Sequence, residues 1–195
     1  MTLQRQWRVY LAGPEVFLPD PIGAGKRKCE TAARYDFEGV YPLDAALDLS
    51  GLDKHTQARR IAEANEGLMR SADALIANLT PFRGVSTDSG TAFEVGFMRA
   101  LGRPVLGYTN VIADYATRAG AFRARGIPDG DADRTDIAIE DFDHAENLMI
   151  ACAIEAVCGT VVRSAVAAER EIEDLGGFET CLQQLRQIWT RAHSQ

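Results

Sequence analysis

The chain has 195 residues, of which 46% are apolar and 25% charged, and this balance predicts one compact domain over residues 1–195 with a sizeable core. The formal net charge of −7 argues against nucleic acid as the main partner, because the sequence has no cluster of Lys and Arg that could neutralise phosphates. A small, neutral or mildly polar ligand is favoured instead.

The four cysteines indicate neither a zinc site nor a disulfide framework. No CxxC pair and no histidine at metal-binding spacing occurs among Cys29, Cys152, Cys158 and Cys181, so we expect reduced thiols in the core and no metal. The segment Met1–Arg8 lacks the features of a secretory leader, and no apolar run reaches the ~18 residues that cross a bilayer. We therefore expect a cytoplasmic protein with no membrane partner.

The first half of the chain alternates short apolar runs with helical patterns. Arg8–Pro14 is β-branched and aromatic until Gly-Pro stops it, which predicts a first strand whose C-terminal loop is a binding edge. The next elements are predicted, in chain order, as a helix at Gly25–Tyr35, a strand at Gly39–Pro42, a helix at Lys54–Met69, a strand at Ala74–Leu79, a helix at Gly90–Leu101 and a strand at Pro104–Tyr108. This alternation is typical of a parallel sheet with right-handed crossovers, so we predict an α/β, flavodoxin-like, doubly wound fold.

The second half of the chain is predicted to be less regular. Asn110–Asp136 is rich in Gly, Asp and Arg without clear periodicity, which predicts a long loop over the sheet edge. Beyond it, Asn147–Val157 predicts an apolar helix. Val166–Ala192 predicts a long amphipathic helix that packs on the domain or on a second subunit.

The stretch from Asp88 to Gly96 carries two carboxylates where the third strand gives way to the third helix. Ligands of open α/β sheets bind at this edge. Glu94 lies near the start of the helix, where the dipole and free amides are expected to keep it ionised and able to attack a glycosidic carbon, with retention through a covalent intermediate. The alternative is structural: Glu94 caps its helix and Asp88 binds backbone amides.

Four short motifs occur in the order found in nucleoside 2-deoxyribosyltransferases, and the likeness runs from about residue 9 to residue 150. The motifs are Tyr10–Pro14, Asp73–Leu79, Asp88–Gly96 and Asn147–Met149. The run Asp-x-Gly-Thr-x-x-Glu-x-Gly with a downstream Asn-Leu-Met is the specific part of the resemblance. It implies an enzyme without a cofactor that moves 2-deoxyribose between nucleobases, with a deoxyribonucleoside and a free base as its partners, in nucleotide salvage or deoxyribonucleoside catabolism.

The resemblance implies that Glu94 is the nucleophile at C1′ of the sugar and that the hydroxyl of Tyr10 orients it. Without the match, Tyr10 would be interpreted as a core residue of the first strand. Asp88 resembles the residue that receives the 5′-hydroxyl, and since a carboxylate repels a 5′-phosphate, nucleosides rather than nucleotides are expected as substrates. Gly13 and Gly90, which lie within the matching motifs, are assigned to the substrate site.

Asn147 matches an asparagine that reaches the 5′ end of the sugar from a neighbouring subunit in family members, with Met149 near the pocket wall. This likeness implies a homo-oligomer with shared active sites. The alternative is that Asn147 begins or caps the next helix, a common role for Asn.

Asn65 departs from the family pattern, since some members carry at this place an Asp that protonates the leaving base. A neutral amide cannot deliver a proton as an acid does. Asn65 is therefore expected to bind the edge of the base. The general acid stays open between Asp44, Asp88, Glu66 and a water molecule, and Asp44 is also assigned to substrate binding.

The loop after the first strand contains Phe17, where family members place an aromatic residue against the base. Phe17 either stacks on the nucleobase or packs in the core beside Leu18. The segment Pro81–Gly84 is either a lid over the pocket or a surface turn. His55 and His144 are expected to be exposed and without partners.

Three functions are open at this point: a deoxyribosyltransferase, a hydrolase of (deoxy)nucleoside or nucleotide N-glycosides in which water replaces the acceptor base, and a nonenzymatic nucleoside sensor. The first two share a half-reaction, so exclusion of water and binding of the acceptor base decide between them. A dinucleotide-binding fold is disfavoured, because the turn after the first strand lacks Gly-x-Gly-x-x-Gly.

Overall fold

The fold is described by a computed structural model that covers residues 5–43, 47–125, 137–158 and 160–192. The strands are β1 (Arg8–Ala12), β2 (Glu38–Val40), β3 (Ala74–Asn78), β4 (Val105–Thr109) and β5 (Val162–Arg163). The α-helices are α1 (Pro21–Ala33), α2 (Lys54–Ser71), α3 (Ser89–Ala100), α4 (Tyr115–Ala124), α5 (Leu148–Cys158) and α6 (Gly176–Ala192). Two 3₁₀ turns span Pro14–Phe17 and Ala168–Arg170.

The five strands form one parallel sheet in the order β2-β1-β3-β4-β5. This is the strand order of the flavodoxin-like doubly wound class, so the predicted fold is confirmed. The order reverses between β1 and β3, whose ends are in register with Ala12 opposite Ala77. Ligands of open α/β sheets are expected to bind near the carboxyl ends of the strands at such a topological switch point.

Apolar side chains cover both faces of the sheet. One cluster joins the sheet to α2, α3 and α5 and contains Met69, Val95 and Ile154. A second cluster joins the opposite face to α1 and α6 and contains Phe178 and Leu182. The strands β3 and β4 are buried along their whole length. This explains why their sequences are continuous apolar runs in which apolar and polar residues do not alternate.

The start of α1 differs from its prediction. The helix begins at Pro21, four residues before Gly25, and it ends at Ala33. Asp20 caps it, because a side-chain oxygen of Asp20 accepts a hydrogen bond of 2.9 Å from the amide of Gly23. Proline at the first helical position costs no hydrogen bond, so Pro21 belongs to the helix although it interrupts the apolar pattern.

The prediction of a loop over Asn110–Asp136 is wrong for its first half, which contains α4. Asp114 caps α4 by accepting a hydrogen bond of 2.7 Å from the amide of Thr117. No residue of α4 is fully buried, so the apolar periodicity that identifies a helix is missing. Residues 126–136 of the predicted loop lie outside the described ranges.

The predicted helix Val166–Ala192 is too long, because only Gly176–Ala192 forms α6. Asp174 accepts a hydrogen bond of 2.9 Å from the amide of Gly176 at the helix start. The preceding segment holds a 3₁₀ turn and the edge strand β5, which was not predicted because two residues give no detectable alternation.

Of the cysteines with described side chains, Cys29, Cys152 and Cys181, only Cys181 is fully buried. Cys29 is half-buried and Cys152 is exposed, so the expectation of core thiols holds for one of them. None of the helices in the described ranges has the length and apolar character needed to cross a bilayer.

Candidate active site

A cavity of about 310 Å³ lies at the carboxyl ends of β1 and β2, beside α2 and the start of α3. Its volume is in the range of small-molecule binding sites. Both apolar and polar side chains line it: Gly13, Val16, Phe17, Pro42, Leu43, Ile61, Asn65, Asp88, Gly90, Thr91 and Glu94. Many of the site residues predicted from the sequence therefore surround one cavity.

Tyr10 and Glu94 meet at the wall of this cavity. The hydroxyl of Tyr10 donates a hydrogen bond of 2.7 Å to Oε1 of Glu94. Tyr10 is fully buried within β1, so it is a core residue of the strand and a partner of Glu94 at the same time. Burial, together with the negative charge of Glu94, raises the pKa of the Tyr10 phenol, which keeps it a neutral donor.

The pKa of Glu94 is raised to about 7, mainly because burial disfavours the charged carboxylate. The hydrogen bond from Tyr10 opposes this shift, and the negative charge of Asp88 adds to it. This differs from the expectation that the helix dipole keeps Glu94 ionised. Glu94 is the sixth residue of α3, beyond the first turn in which the dipole acts. The carboxyl group of Glu94 therefore titrates in the neutral range.

Asp88 caps α3 and also lines the cavity. Its Oδ2 atom accepts a hydrogen bond of 3.2 Å from the amide of Thr91. A Cβ atom at Gly90 would lie 2.9 Å from Oδ2 of Asp88, so glycine at this position leaves room for the carboxylate. The capping interpretation of Asp88 is thus observed, and it places the carboxylate at the cavity.

Gly13 stands where the chain leaves β1, with a φ of 156° that side chains other than glycine rarely adopt. A Cβ atom at Gly13 would lie 2.8 Å from Cβ of Asn78 at the end of β3. Glycine therefore allows the ends of the two central strands to approach each other at the cavity wall.

Phe17 is 50% exposed, so the interpretation that places it in the core is wrong. Its ring stacks on Phe82, with 5.2 Å between centroids and 13° between planes. The guanidinium carbon of Arg83 lies 4.8 Å from the Phe17 centroid and 4.6 Å from the Phe82 centroid. The segment Pro81–Gly84 thus fixes the position of Phe17 at the cavity.

Asn65 projects from α2 and lines the cavity. Its Oδ1 atom is buried and has no hydrogen-bond partner among the described residues. A buried acceptor without a partner is costly, so a ligand N–H would be bound favourably here. Glu66, the next residue, does not line the cavity and lies 3.7 Å from Arg70 on the helix surface.

Asn147 and Met149 do not line the cavity of their own chain. Asn147 precedes α5, and its Oδ1 atom accepts a hydrogen bond of 3.0 Å from the amide of Met149. Its Nδ2 atom donates to Glu140 at 2.8 Å, and Met149 is 73% exposed. The capping interpretation of Asn147 is therefore observed, while a role in a neighbouring subunit stays a prediction. Asp44 lies outside the described residues.

A buried ion pair near the site was not predicted. Lys28 Nζ lies 2.7 Å from Oε1 of Glu15, which also accepts hydrogen bonds from Asn78 and Tyr108. The charges of Lys28 and Glu15 act on the pKa of Glu94 in opposite directions. The position of Glu15 directly after Gly-Pro at the sheet edge is the one signal that the sequence offers for this pair.

The expectation that His144 has no partners is wrong. Its Nδ1 atom lies 3.2 Å from Oε1 of Glu155, and its Nε2 atom lies 3.7 Å from Sγ of Cys152. The three side chains form a partly exposed cluster at α5, outside the cavity. In the sequence, Cys152 follows His144 by eight residues and Glu155 follows Cys152 by three, so the cluster does not have the CxxC spacing of a zinc site.

The fold and the cavity define an α/β protein with a buried carboxylate at the wall of a cavity of small-molecule size. A family model described as Nucleoside 2-deoxyribosyltransferase matches residues 9–149. The match includes all the described residues that line the cavity and covers well over half of the chain. The chain belongs to the nucleoside 2-deoxyribosyltransferase family.

Similar proteins occur in a fungus, a protozoan and a bacterium. A segment of 123 residues, 62% of this chain, is 32% identical to an uncharacterized protein of Schizosaccharomyces pombe and spans only 58% of that protein. The solved structure of a 2-desoxiribosyltransferase from Leishmania mexicana matches this chain with a TM-score of 0.62 and 26% sequence identity. The match covers 91% of this chain and 97% of that chain. A conserved protein from Enterococcus faecalis V583, 21% identical with a TM-score of 0.52 over 94% and 99% of the two chains, supports the fold alone.

Proposed function

We propose that the protein exchanges the nucleobase of 2′-deoxyribonucleosides through a covalent deoxyribosyl intermediate on Glu94. The observation that carries this proposal is the hydrogen bond between Tyr10 and Glu94 at the wall of a cavity of suitable size. Membership of the family supports the class of reaction.

In the first half-reaction, a carboxylate oxygen of Glu94 bonds to C1′ of the sugar as the bond from C1′ to the base nitrogen breaks. The electron pair of the broken bond stays on the base, which takes up a proton. In the second half-reaction, a nitrogen of the acceptor base attacks C1′, gives up its proton and releases the carboxylate, so the configuration is retained after two displacements. Tyr10 holds one oxygen of Glu94 and leaves the other for the attack.

The proton for the leaving base cannot come from Asn65, because an amide is not an acid. We propose that the buried Oδ1 atom of Asn65 accepts an N–H of the base instead. Among the described candidates for the general acid, Asp88 lines the cavity and Glu66 does not. Because both oxygens of Asp88 are needed as hydrogen-bond acceptors, one for the start of α3 and one for the 5′-hydroxyl, a water molecule is the proposed proton donor.

We assign the 5′ end of the deoxyribose to Asp88. One carboxylate oxygen caps α3, and the other is available to accept a hydrogen bond from the 5′-hydroxyl. A 5′-phosphate at the same place would be repelled, which supports nucleosides as substrates. Asn147 and Met149, exposed at the start of α5, are proposed to complete this end of the site in a second copy of the chain.

Hydrolysis is the competing outcome, because water can take the place of the acceptor base. The half exposure of Phe17 supports a cavity that water enters when no acceptor base is bound. The ratio of exchange to hydrolysis then depends on the concentration of free base.

The test is to incubate the protein with deoxyinosine or thymidine, each with and without free adenine, and to separate the products by chromatography. We expect deoxyadenosine when adenine is present and slow release of free deoxyribose when it is absent. Under turnover, mass spectrometry of a peptic digest is expected to find a deoxyribosyl adduct on the peptide that contains Glu94. Glu94→Ala is expected to abolish both products, and exchange that persists in this variant would overturn the mechanism.

A further inference from the structure

A second buried ion pair lies outside the cavity. Glu146 is fully buried two residues before the start of α5, and Arg118 of α4 is 9% exposed at its side chain. A guanidinium nitrogen of Arg118 lies 3.2 Å from Oε2 of Glu146. Neither residue lines the cavity, so neither has a part in the chemistry proposed above.

The two side chains of this ion pair form hydrogen bonds with residues 85–87, which directly precede Asp88. The Nε atom of Arg118 donates to the carbonyl of Val85 at 2.9 Å. The hydroxyl of Ser86 donates to Oε1 of Glu146 at 2.5 Å, and the amide of Thr87 donates to Oε2 at 3.0 Å. The segment between β3 and α3 therefore takes its position from two side chains that belong to distant parts of the sequence.

The carboxylate of Glu146 is fully used by these contacts. Its Oε1 atom also accepts a hydrogen bond of 2.9 Å from the amide of Asn147, so each oxygen receives two donors. A glutamine at this position would turn its NH₂ group towards two of these donors, because an amide has a single acceptor atom. A carboxylate side chain, with two acceptor oxygens, thus satisfies all four donors, whereas an amide does not.

We infer that Glu146 is a positioning residue for Asp88, and that it sets where the 5′-hydroxyl of the substrate is received. This inference rests on the proposed function and on the role given there to Asp88. The path is short: the amide that Glu146 binds belongs to Thr87, and Asp88 is the next residue in the chain. Glu146 does not touch the substrate and acts through the backbone of residues 85–87.

The test compares two substrates that differ in one group, a 2′-deoxynucleoside and the matching 2′,5′-dideoxynucleoside. The donor is either deoxyinosine or thymidine, whichever the wild type uses, and adenine is the acceptor. For Glu146→Gln, we expect kcat/KM to fall about ten- to hundredfold with the 5′-hydroxyl substrate, because a displaced contact group costs this much. With the 5′-deoxy substrate, which has nothing for Asp88 to bind, we expect no more than a twofold change.

A milder variant keeps the inference testable if Glu146→Gln does not fold. Ser86→Ala removes a single hydrogen bond to Glu146, and we expect a loss of about three- to tenfold with the 5′-hydroxyl substrate only. Glu179→Gln is the matched control, because this glutamate pairs with Arg34 on the surface of α6, and it is expected to behave as the wild type. The melting temperature of each variant identifies a general loss of structure.

Each outcome separates the inference from the proposed function. A loss of activity confined to the 5′-hydroxyl substrate supports the inference. An equal loss with both substrates, or no loss with either, overturns it and leaves base exchange intact. A wild type that uses both substrates equally well overturns the role of Asp88 and, with it, the inference. A wild type that exchanges no base on either substrate overturns the proposed function itself.

Discussion

The hydroxyl of Tyr10 lies 2.7 Å from Oε1 of Glu94, although 84 residues separate them in the chain. This contact opposes burial, which is the largest influence on the pKa of the same carboxylate. Burial favours the protonated acid, and the hydrogen bond from Tyr10 favours the anion. The balance leaves the pKa of Glu94 at about 7, so the proposed nucleophile titrates in the neutral range.

Replacing Tyr10 by phenylalanine removes the interaction that lowers the pKa of Glu94. A hydrogen bond to a charged group contributes about 1.5 to 3 kcal/mol, so the pKa is expected to rise by roughly one to two units. Since the carboxylate is the active form, kcat/KM of the wild type should increase between pH 6 and 8, and the increase should move to higher pH in Tyr10→Phe. Base-exchange rates from pH 5 to 9 measure both profiles.

Tyr35→Phe is the matched control for this profile. Tyr35 also contacts a glutamate, Glu179, at 3.5 Å, but on the surface and away from the cavity. Its pH profile should coincide with that of the wild type. An unchanged acidic limb in Tyr10→Phe would contradict the role given to the phenol.

The raised pKa of Glu94 also predicts a cost in stability. The unfolded chain ionises this group near 4.5 and the folded chain near 7, so the folded state binds more protons between these values. Stability therefore decreases as the pH rises through this window, and the loss is complete above pH 7. Glu94→Gln, which keeps an acceptor for Tyr10, is expected to raise the free energy of unfolding at pH 8 by roughly 1 to 3 kcal/mol.

Urea unfolding of the wild type and of Glu94→Gln at pH 5 and pH 8 measures this effect. The difference between the two proteins should be smaller at pH 5 than at pH 8. Glu66→Gln on the outer face of α2 controls for the loss of a carboxylate as such. If Glu94→Gln is no more stable than the wild type at pH 8, burial of the ionised carboxylate does not destabilise the folded protein.

The central fold could be predicted because local patterns agree with the tertiary structure there. β1 and β3 are buried runs that end at glycine or polar residues, and the predicted alternation gives the observed sheet. α4 and β5 could not be found in this way. α4 buries no residue fully and β5 has two residues, so neither produces a periodic pattern.

The candidate site shows the same division. Asp88, Gly90 and Glu94 lie within one stretch of sequence, so their convergence on a cavity could be expected from the chain alone. The raised pKa of Glu94 could not be predicted from the chain alone, because it depends on burial beneath elements that are distant in sequence. The link from Glu146 to Thr87 spans 59 residues and gives no local signal either.

Asp88→Asn is expected to weaken the discrimination between nucleosides and their 5′-monophosphates. The amide removes the negative charge that repels a phosphate, so the rate ratio should fall about tenfold or more, since like-charge contacts cost several kcal/mol. Asparagine also caps helices well, so α3 should keep its start. Competition between deoxyinosine and its 5′-monophosphate, followed by chromatography, measures the ratio.

Asp53→Asn provides the control for this change, because Asp53 caps α2 through the amide of Thr56 at 3.0 Å and does not line the cavity. Its substrate ratio should equal that of the wild type. If Asp88→Asn kept the full preference for nucleosides, the 5′ end of the sugar would have to bind elsewhere.

Phe17→Ala is expected to weaken binding of the base more than it slows the chemical step. Phe17 is stacked on Phe82 and lines the cavity, so a base can stack on an already fixed ring. Stacking contributes roughly 1 to 3 kcal/mol per base, which corresponds to an increase in KM of about five- to a hundredfold. Initial rates over a range of acceptor concentrations separate KM from kcat. Phe142→Ala, an exposed phenylalanine away from the cavity, should leave both constants unchanged. A fall in kcat with constant KM would instead place Phe17 against the reacting sugar.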